Sequence, residues 1–217
     1  MVTDLSTYFF NKTVTETYFL KSYSYVTETN DLDCIRKILD GDTQKYAILV
    51  NRYKDLVYTL AIRMVKNKEE AEEVSQDTFT KAFKSLNKFK GESKFSTWIY
   101  SIAYNTSLDS LKKTKRQYKT VTINEFTKNQ IKSLDNILDK MEHDERKLTI
   151  QNCMQLLPSE DSFLLTLYYF EELSIDEIAQ IINLKPNNVK VKLFRSRKKL
   201  TSILKGKLAP EILERYG

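Results

Sequence analysis

Four glycines and three prolines punctuate a chain of 217 residues, where average usage would supply roughly 15 and 11. Tight turns, hairpins and bulges depend on these two residues, so such a chain is a poor candidate for a β-sandwich or barrel. The same scarcity argues against collagen-like or Gly/Ser linker arrays and gives no support to glycine-rich phosphate loops. The expectation is an all-α protein built of long helices with few breaks. The length allows one or two domains, and 41% hydrophobic residues are enough for small cores.

Several function classes lose support at once. Two cysteines, Cys34 and Cys153, are too few for a disulfide framework. A single histidine, His143, without clustered cysteines argues against zinc. No nucleophile motif or metal-spaced cluster stands out, so neither enzyme chemistry nor a metal or cofactor is expected. No apolar run reaches the roughly 18–20 residues of a membrane span, and the N-terminus does not read as a signal peptide. The protein is expected to be soluble and cytoplasmic, with no direct membrane insertion.

The net charge of +6 is unevenly distributed. Residues 112–119 (KKTKRQYK) hold five basic side chains and no acid, and residues 178–210 hold nine and none. Clustered Lys and Arg on one element is the footprint of a phosphate-backbone contact. A solvated helix face explains one such cluster equally well; two at the ends of helical segments favour nucleic acid.

The hydrophobic period places the helices. Residues 1–30 read as an extension of uncertain structure. Residues 31–116 read as one helical bundle: a helix over 31–39 ended near Gly41, a second over 43–65, a third over 68–86 and a fourth over 96–115 after Gly91. In the second, Val50, Tyr53, Val57, Leu60 and Met64 make one stripe. In the third, Ala71, Val74, Thr78, Ala82 and Leu86 face inward, widened by Phe79 and Phe83. Ile99, Ile102, Ala103 and Leu108 are the core candidates of the fourth. Residues 117–148 read as a polar linker with a short helix around 131–139, and His143 as an exposed linker residue.

A second helical unit, 149–204, precedes a tail over 205–217. Pro158 starts a helix that runs to Phe170. Ser174 and Glu177 are spaced as a capping box before a short helix, Ile175–Ile182, with Ala179 in its middle. Asn183 tolerates a left-handed turn, Leu184 plugs the space between helices, and Pro186 suits the first turn of a last helix. Two helices joined by a three- to four-residue turn form the helix-turn-helix pattern. On the last helix Val189, Leu193, Ser196 and Leu200 face inward, while Lys190, Lys192, Arg195, Arg197 and Lys199 lie largely away from that stripe. Asn187 and Asn188 sit at the end where recognition helices touch base edges.

With these residues in view, the chain resembles the extracytoplasmic-function (ECF) sigma factors of bacterial RNA polymerase over about 31–116 and 149–204. AEEVSQDTFTKAFKSLNKF (71–89) is similar to the helix that docks on the polymerase clamp in sigma region 2. FSTWIYSIAYNTSLDSLKK (95–113) is similar to the helix for −10 recognition and melting. LPSEDSFLLTLYYFEELSIDEIAQIINLKPNNVKVKLFRSRKKL (157–200) is similar to region 4, the −35 reader.

The resemblance implies three sites. Glu73, Gln76, Asp77, Thr78 and Phe79 would dock on core polymerase, with Phe79 equally suited to core packing. Phe95, Ser96, Thr97, Trp98, Tyr104, Asn105 and Asp109 would engage the −10 element, where extruded bases are held by stacking and polar contacts; Lys112, Lys113, Lys115 and Arg116 would follow the phosphates. Trp98 suits bundle packing better than stacking. Asn187, Asn188, Lys190, Lys192, Arg195, Arg197 and Lys198 would read the −35 element. Core RNA polymerase, promoter DNA and an anti-sigma factor are the implied partners. Two departures stand out: Ser101 and Tyr104 occupy places where the family often has arginine, and Asn183 stands where glycine is common. The alternative reading is a helix-turn-helix regulator that acts on duplex DNA without polymerase.

Overall fold

A computed structural model describes residues 30–115 and 143–207, with side chains over 30–113 and 148–206. The extension over 1–29 and the expected short helix around 131–139 lie outside the described residues. Among those described, every regular element is a helix. They are α1 (Asp31–Leu39), α2 (Tyr46–Val65), α3 (Lys68–Lys84), α4 (Phe95–Lys115), α5 (His143–Leu156), α6 (Ser159–Tyr169), α7 (Ile175–Ile182) and α8 (Pro186–Lys207), with single 3-10 turns at 43–45 and 86–88.

The first bundle packs α2, α3 and α4 against one another, and α1 lies on α2. Asn30 caps α1 by accepting from the Leu32 N–H at 3.2 Å. Asp31, in the same first turn, receives the Arg52 guanidinium and, at 2.5 Å, the Tyr53 hydroxyl. The first turn thus also fastens α1 to α2. Val57, Leu60 and Met64 are completely buried as the period predicts, whereas Val50 and Tyr53 are half-buried. The expected break near Asn67 is a short joint: Lys66 takes a left-handed φ of 60° and closes α2, and the Asn67 side chain accepts from the Glu70 N–H at 2.9 Å to open α3. Ala71, Val74, Thr78 and Ala82 face the core. Phe83 does not widen that stripe as expected; it is 41% exposed, its ring 4.9 Å from Tyr46 at the bundle's edge.

The second unit builds its core from Cys153, Met154, Leu157, Phe163, Leu164, Leu165 and Leu167 with the inner faces of α7 and α8. α5 starts at His143, earlier than the sequence suggests. α8 continues through Gly206, which the sequence placed beyond the helix.

The two units also touch. α4 packs on α7, and α2 on α6. The Tyr104 ring lies 5.0 Å from that of Phe163. Lys94 Nζ sits 2.9 Å from Glu177 Oε1, and Lys66 Nζ donates to the Leu157 carbonyl. Among the described residues no helix is long and apolar enough to cross a membrane.

Candidate polymerase and promoter interface

The clamp-docking candidates divide by burial. Glu73, Gln76 and Asp77 are exposed at spacings of three and one, and so share one face of α3. Thr78 is fully buried and donates to the Val74 carbonyl at 2.7 Å. Phe79 is half-buried against the core, and its carbonyl accepts the Tyr46 hydroxyl at 2.6 Å. An acidic and amide face therefore stands on a helix whose next residues hold the bundle.

The −10 candidates surround the start of α4. Phe95 is 2% exposed, its ring 5.4 Å from Tyr53, 5.6 Å from Phe89 and 5.6 Å from Trp98. Trp98 is half-buried in the same cluster. Ser96 is half-buried and Thr97 buried. Tyr104 is also buried, and burial, with Glu160 nearby, pushes its hydroxyl up to about 12. Asn105, Asp109, Lys112 and Lys113 remain exposed on a neighbouring side of the helix. The Asn105 amide donates to the Ser101 carbonyl at 2.8 Å, and Asp109 pairs with Lys112 at 3.2 Å. The Lys115 side chain and Arg116 lie outside the described residues.

The helix-turn-helix forms as its residues dictate. Ser174 Oγ accepts from the Glu177 N–H at 3.2 Å, and Glu177 Oε2 accepts from the Ser174 N–H at 2.9 Å. Burial pushes the Glu177 carboxyl upward, but the Ser174 hydrogen bonds and Lys94 outweigh it and hold the group below its ordinary range. Asn183 is left-handed at φ 52°, and the N–H of Leu184 reaches the Ala179 carbonyl at 3.0 Å. These bonds set α8 across α7.

On α8, Asn187, Asn188, Lys190 and Arg195 are exposed and Lys198 is half-buried. Two other candidates have partners within the unit. Lys192 Nζ pairs with Glu160 at 2.5 Å. The Arg197 guanidinium lies 5.3 Å and 5.4 Å from the Tyr168 and Tyr169 ring centres. Lys199 pairs with Asp161 at 2.6 Å, and the same carboxylate accepts from Ser196 at 2.5 Å. The candidate list lacks two residues that the exposed face contains, Val191 and Phe194, 49% and 58% exposed. Their apolar character at i and i+3 in an otherwise basic stretch was the available signal.

Comparison with known proteins agrees with this architecture. The family model for sigma-70 region 2 matches residues 49–117, and that for sigma-70 region 4 matches residues 147–200. The chain is 33% identical over 177 residues to the ECF RNA polymerase sigma factor SigW of Bacillus subtilis, covering 79% of this chain and 95% of that one. It is 30% identical over 185 residues to the RNA polymerase sigma-H factor of Pseudomonas aeruginosa, covering 82% and 96%. A solved sigma factor, RpoE of Bartonella quintana in complex with the anti-sigma factor NepR, shares the fold with a TM-score of 0.55 at 18% identity, over 76% of this chain and 98% of that one. By these matches the chain belongs to the ECF family of RNA polymerase sigma factors and is a promoter-recognition factor of that enzyme.

Proposed function

We propose that the two units, 31–116 and 149–204, divide promoter recognition between them, joined by the linker 117–148. Glu73, Gln76 and Asp77 dock on core polymerase, with Thr78 and Phe79 holding that face in place. The α4 surface engages the −10 element: Asn105, Asp109, Lys112 and Lys113 make polar and phosphate contacts, with Lys115 and Arg116 beyond them, and the Phe95–Trp98 segment shapes the helix start. The outer face of α8 reads the −35 duplex.

The observation that carries the last assignment is a single exposed strip on α8. Asn187 and Asn188 suit adenine edges, Lys190 and Arg195 suit guanine or phosphate, and Val191 and Phe194 suit thymine methyl groups. Lys192 and Arg197 support that strip from within the domain. The chain supplies recognition and no covalent chemistry; polymerisation belongs to the core enzyme, and the chain works in the cytoplasm beside it. An anti-sigma factor is a further partner, a proposal supported by the solved complex of RpoE with NepR.

The test is transcription in vitro from a genomic template with core polymerase, with and without the purified chain. Specific transcripts that appear only with both components, and that depend on separate −10 and −35 sequences, are the expected result. Absence of any chain-dependent transcript overturns the assignment.

A further inference from the structure

Asp161 stands three residues after Pro158, which takes the N-cap place of α6. An acid at this position ordinarily reaches back to the N–H of the N-cap residue. Proline has no N–H, and the Asp161 carboxylate turns to α8 instead. Its Oδ1 accepts from Ser196 Oγ at 2.5 Å, and its Oδ2 takes the Lys199 ammonium at 2.6 Å. Ser196 Oγ also lies 2.9 Å from the Lys192 carbonyl; its single proton goes to the nearer, charged acceptor. Ser196 is completely buried and Asp161 only 9% exposed. Next in the chain, Glu160 holds Lys192 at 2.5 Å.

These partners occupy one flank of α8. Lys192 and Lys199 lie about 40° and 60° round the helix from Ser196. Val191 and Phe194, in the exposed strip, lie about 140° and 160° from it. The core residues of α8, Val189, Leu193, Leu200 and Leu204, are all buried, but by an effect without direction. Such burial tolerates small turns of the helix about its axis. A turn of 20° carries a side-chain end about 6 Å from the axis through about 2 Å, enough to break a hydrogen bond to a base edge. A buried carboxylate with a separate α8 partner for each oxygen resists that turn, because leaving such a charge unpaired inside a domain is costly.

We infer that Asp161 is a positioning residue of the −35 reader: it fixes the rotation of α8 and so decides which side chains meet the bases. Glu160 braces the same flank through Lys192. Lys192 and Lys199 are anchors of this brace and not phosphate contacts, although both are cations on the helix that enters the groove. The inference rests on the reading of α8 as the −35 helix.

The experiment measures holoenzyme binding to a promoter and to the same promoter with single −35 substitutions, each across a range of salt concentrations. Circular dichroism establishes that each variant is folded. A mismatched pair ordinarily costs roughly five- to 150-fold in affinity. Asp161→Asn keeps the shape of the side chain and gives up its charge; it should shrink this contrast by about threefold or more at one position at least. Lys192→Met and Lys199→Met should leave the slope of log affinity against log salt as in the parent, whereas Lys190→Met, on the exposed strip, should reduce it by about 0.9. The inference is overturned if folded Asp161→Asn keeps the parent's contrast at every position, or if Lys192→Met or Lys199→Met lowers the slope by about 0.9. The two lysines have partly exposed side chains, so the slope decides even where Asp161→Asn does not fold. A parent holoenzyme indifferent to every −35 substitution instead overturns the α8 reading, and the inference falls with it.

Discussion

Arg197 stacks its guanidinium 5.3 Å over the ring of Tyr168, while Arg195, two residues earlier and about 200° round the helix, stands exposed. Two arginines that look equivalent in sequence therefore stand in different surroundings. Arg195→Ala should cost about 1–3 kcal/mol in −35-dependent promoter binding and relax preference at one base pair, with the fold unchanged. Arg197→Ala should instead lower the stability of the second unit through lost packing and cation–π contact, by ~1 kcal/mol. Urea denaturation alongside promoter binding separates the two; equal loss of binding at equal stability would show that both arginines read DNA.

Asp77 and Thr78 make the same contrast on α3. Asp77→Ala should weaken core polymerase binding about fivefold or more, the scale of a substantial interface contact, and leave binding of −35 duplex by the free chain intact. Thr78→Val removes a buried hydroxyl that bonds its own helix and should leave core affinity within twofold of the parent, an order-of-magnitude expectation for a side chain outside the interface. Titration with labelled core polymerase measures both.

Ser174 and Glu177 hold the start of α7 through two reciprocal bonds. Ser174→Ala should destabilise the second unit by about 1 kcal/mol. The Glu177 carboxyl lies below its ordinary value, so its contribution is present at neutral pH and is lost as pH falls below about 4.5 and through its folded value. A Glu177→Gln chain should lack that part of the acid dependence in pH-resolved thermal melts.

Glu171, in the loop after α6, behaves oppositely. Burial, with Glu172 beside it, raises its carboxyl to about 7. A raised acid binds its proton more tightly when folded, so its penalty is absent below about 4.5, grows as pH rises through 7, and is complete above it. Glu171→Gln should therefore stabilise the chain by ~1–3 kcal/mol at pH 8 and have little effect at pH 4. A gain that does not change between these pH values would contradict the assignment.

These contrasts mark where the sequence is informative. The Val57–Leu60–Met64 and Val189–Leu193–Ser196–Leu200 stripes are legible because a helix repeats its inner face every three or four residues, and the Ser174–Glu177 cap because it is local. Partners from other helices are not encoded in that period. Nothing in the spacing of α8 pairs Lys192 with Glu160 or sets Arg197 over Tyr168. The same holds for Tyr104 and Phe163, which lie far apart in sequence and meet only when the two units pack. Phe83 fails differently: it lies about 100° round the helix from Ala82, off the Ala71–Val74–Thr78–Ala82 stripe, where it meets the Tyr46 ring at 4.9 Å and stays 41% exposed.

Val191 and Phe194 give the most chemically specific expectation. Apolar side chains on a groove-facing strip discriminate by contact with the 5-methyl of thymine, the one apolar group on the major-groove edge. Replacing thymine by deoxyuridine removes only that methyl and leaves every hydrogen bond of the pair in place. For holoenzyme on a promoter with a defined −35 element, at least one such replacement should weaken binding by about 0.8 kcal/mol, roughly fourfold, as expected for one buried methyl-sized group. Phe194→Ala or Val191→Ala should abolish the difference between thymine and deoxyuridine at its own position while retaining dependence on the −35 sequence through Arg195 and the asparagines. Quantitative footprinting across single substitutions gives the answer. If every deoxyuridine promoter binds as well as its parent, the two side chains do not read thymine, whatever the rest of the strip contacts.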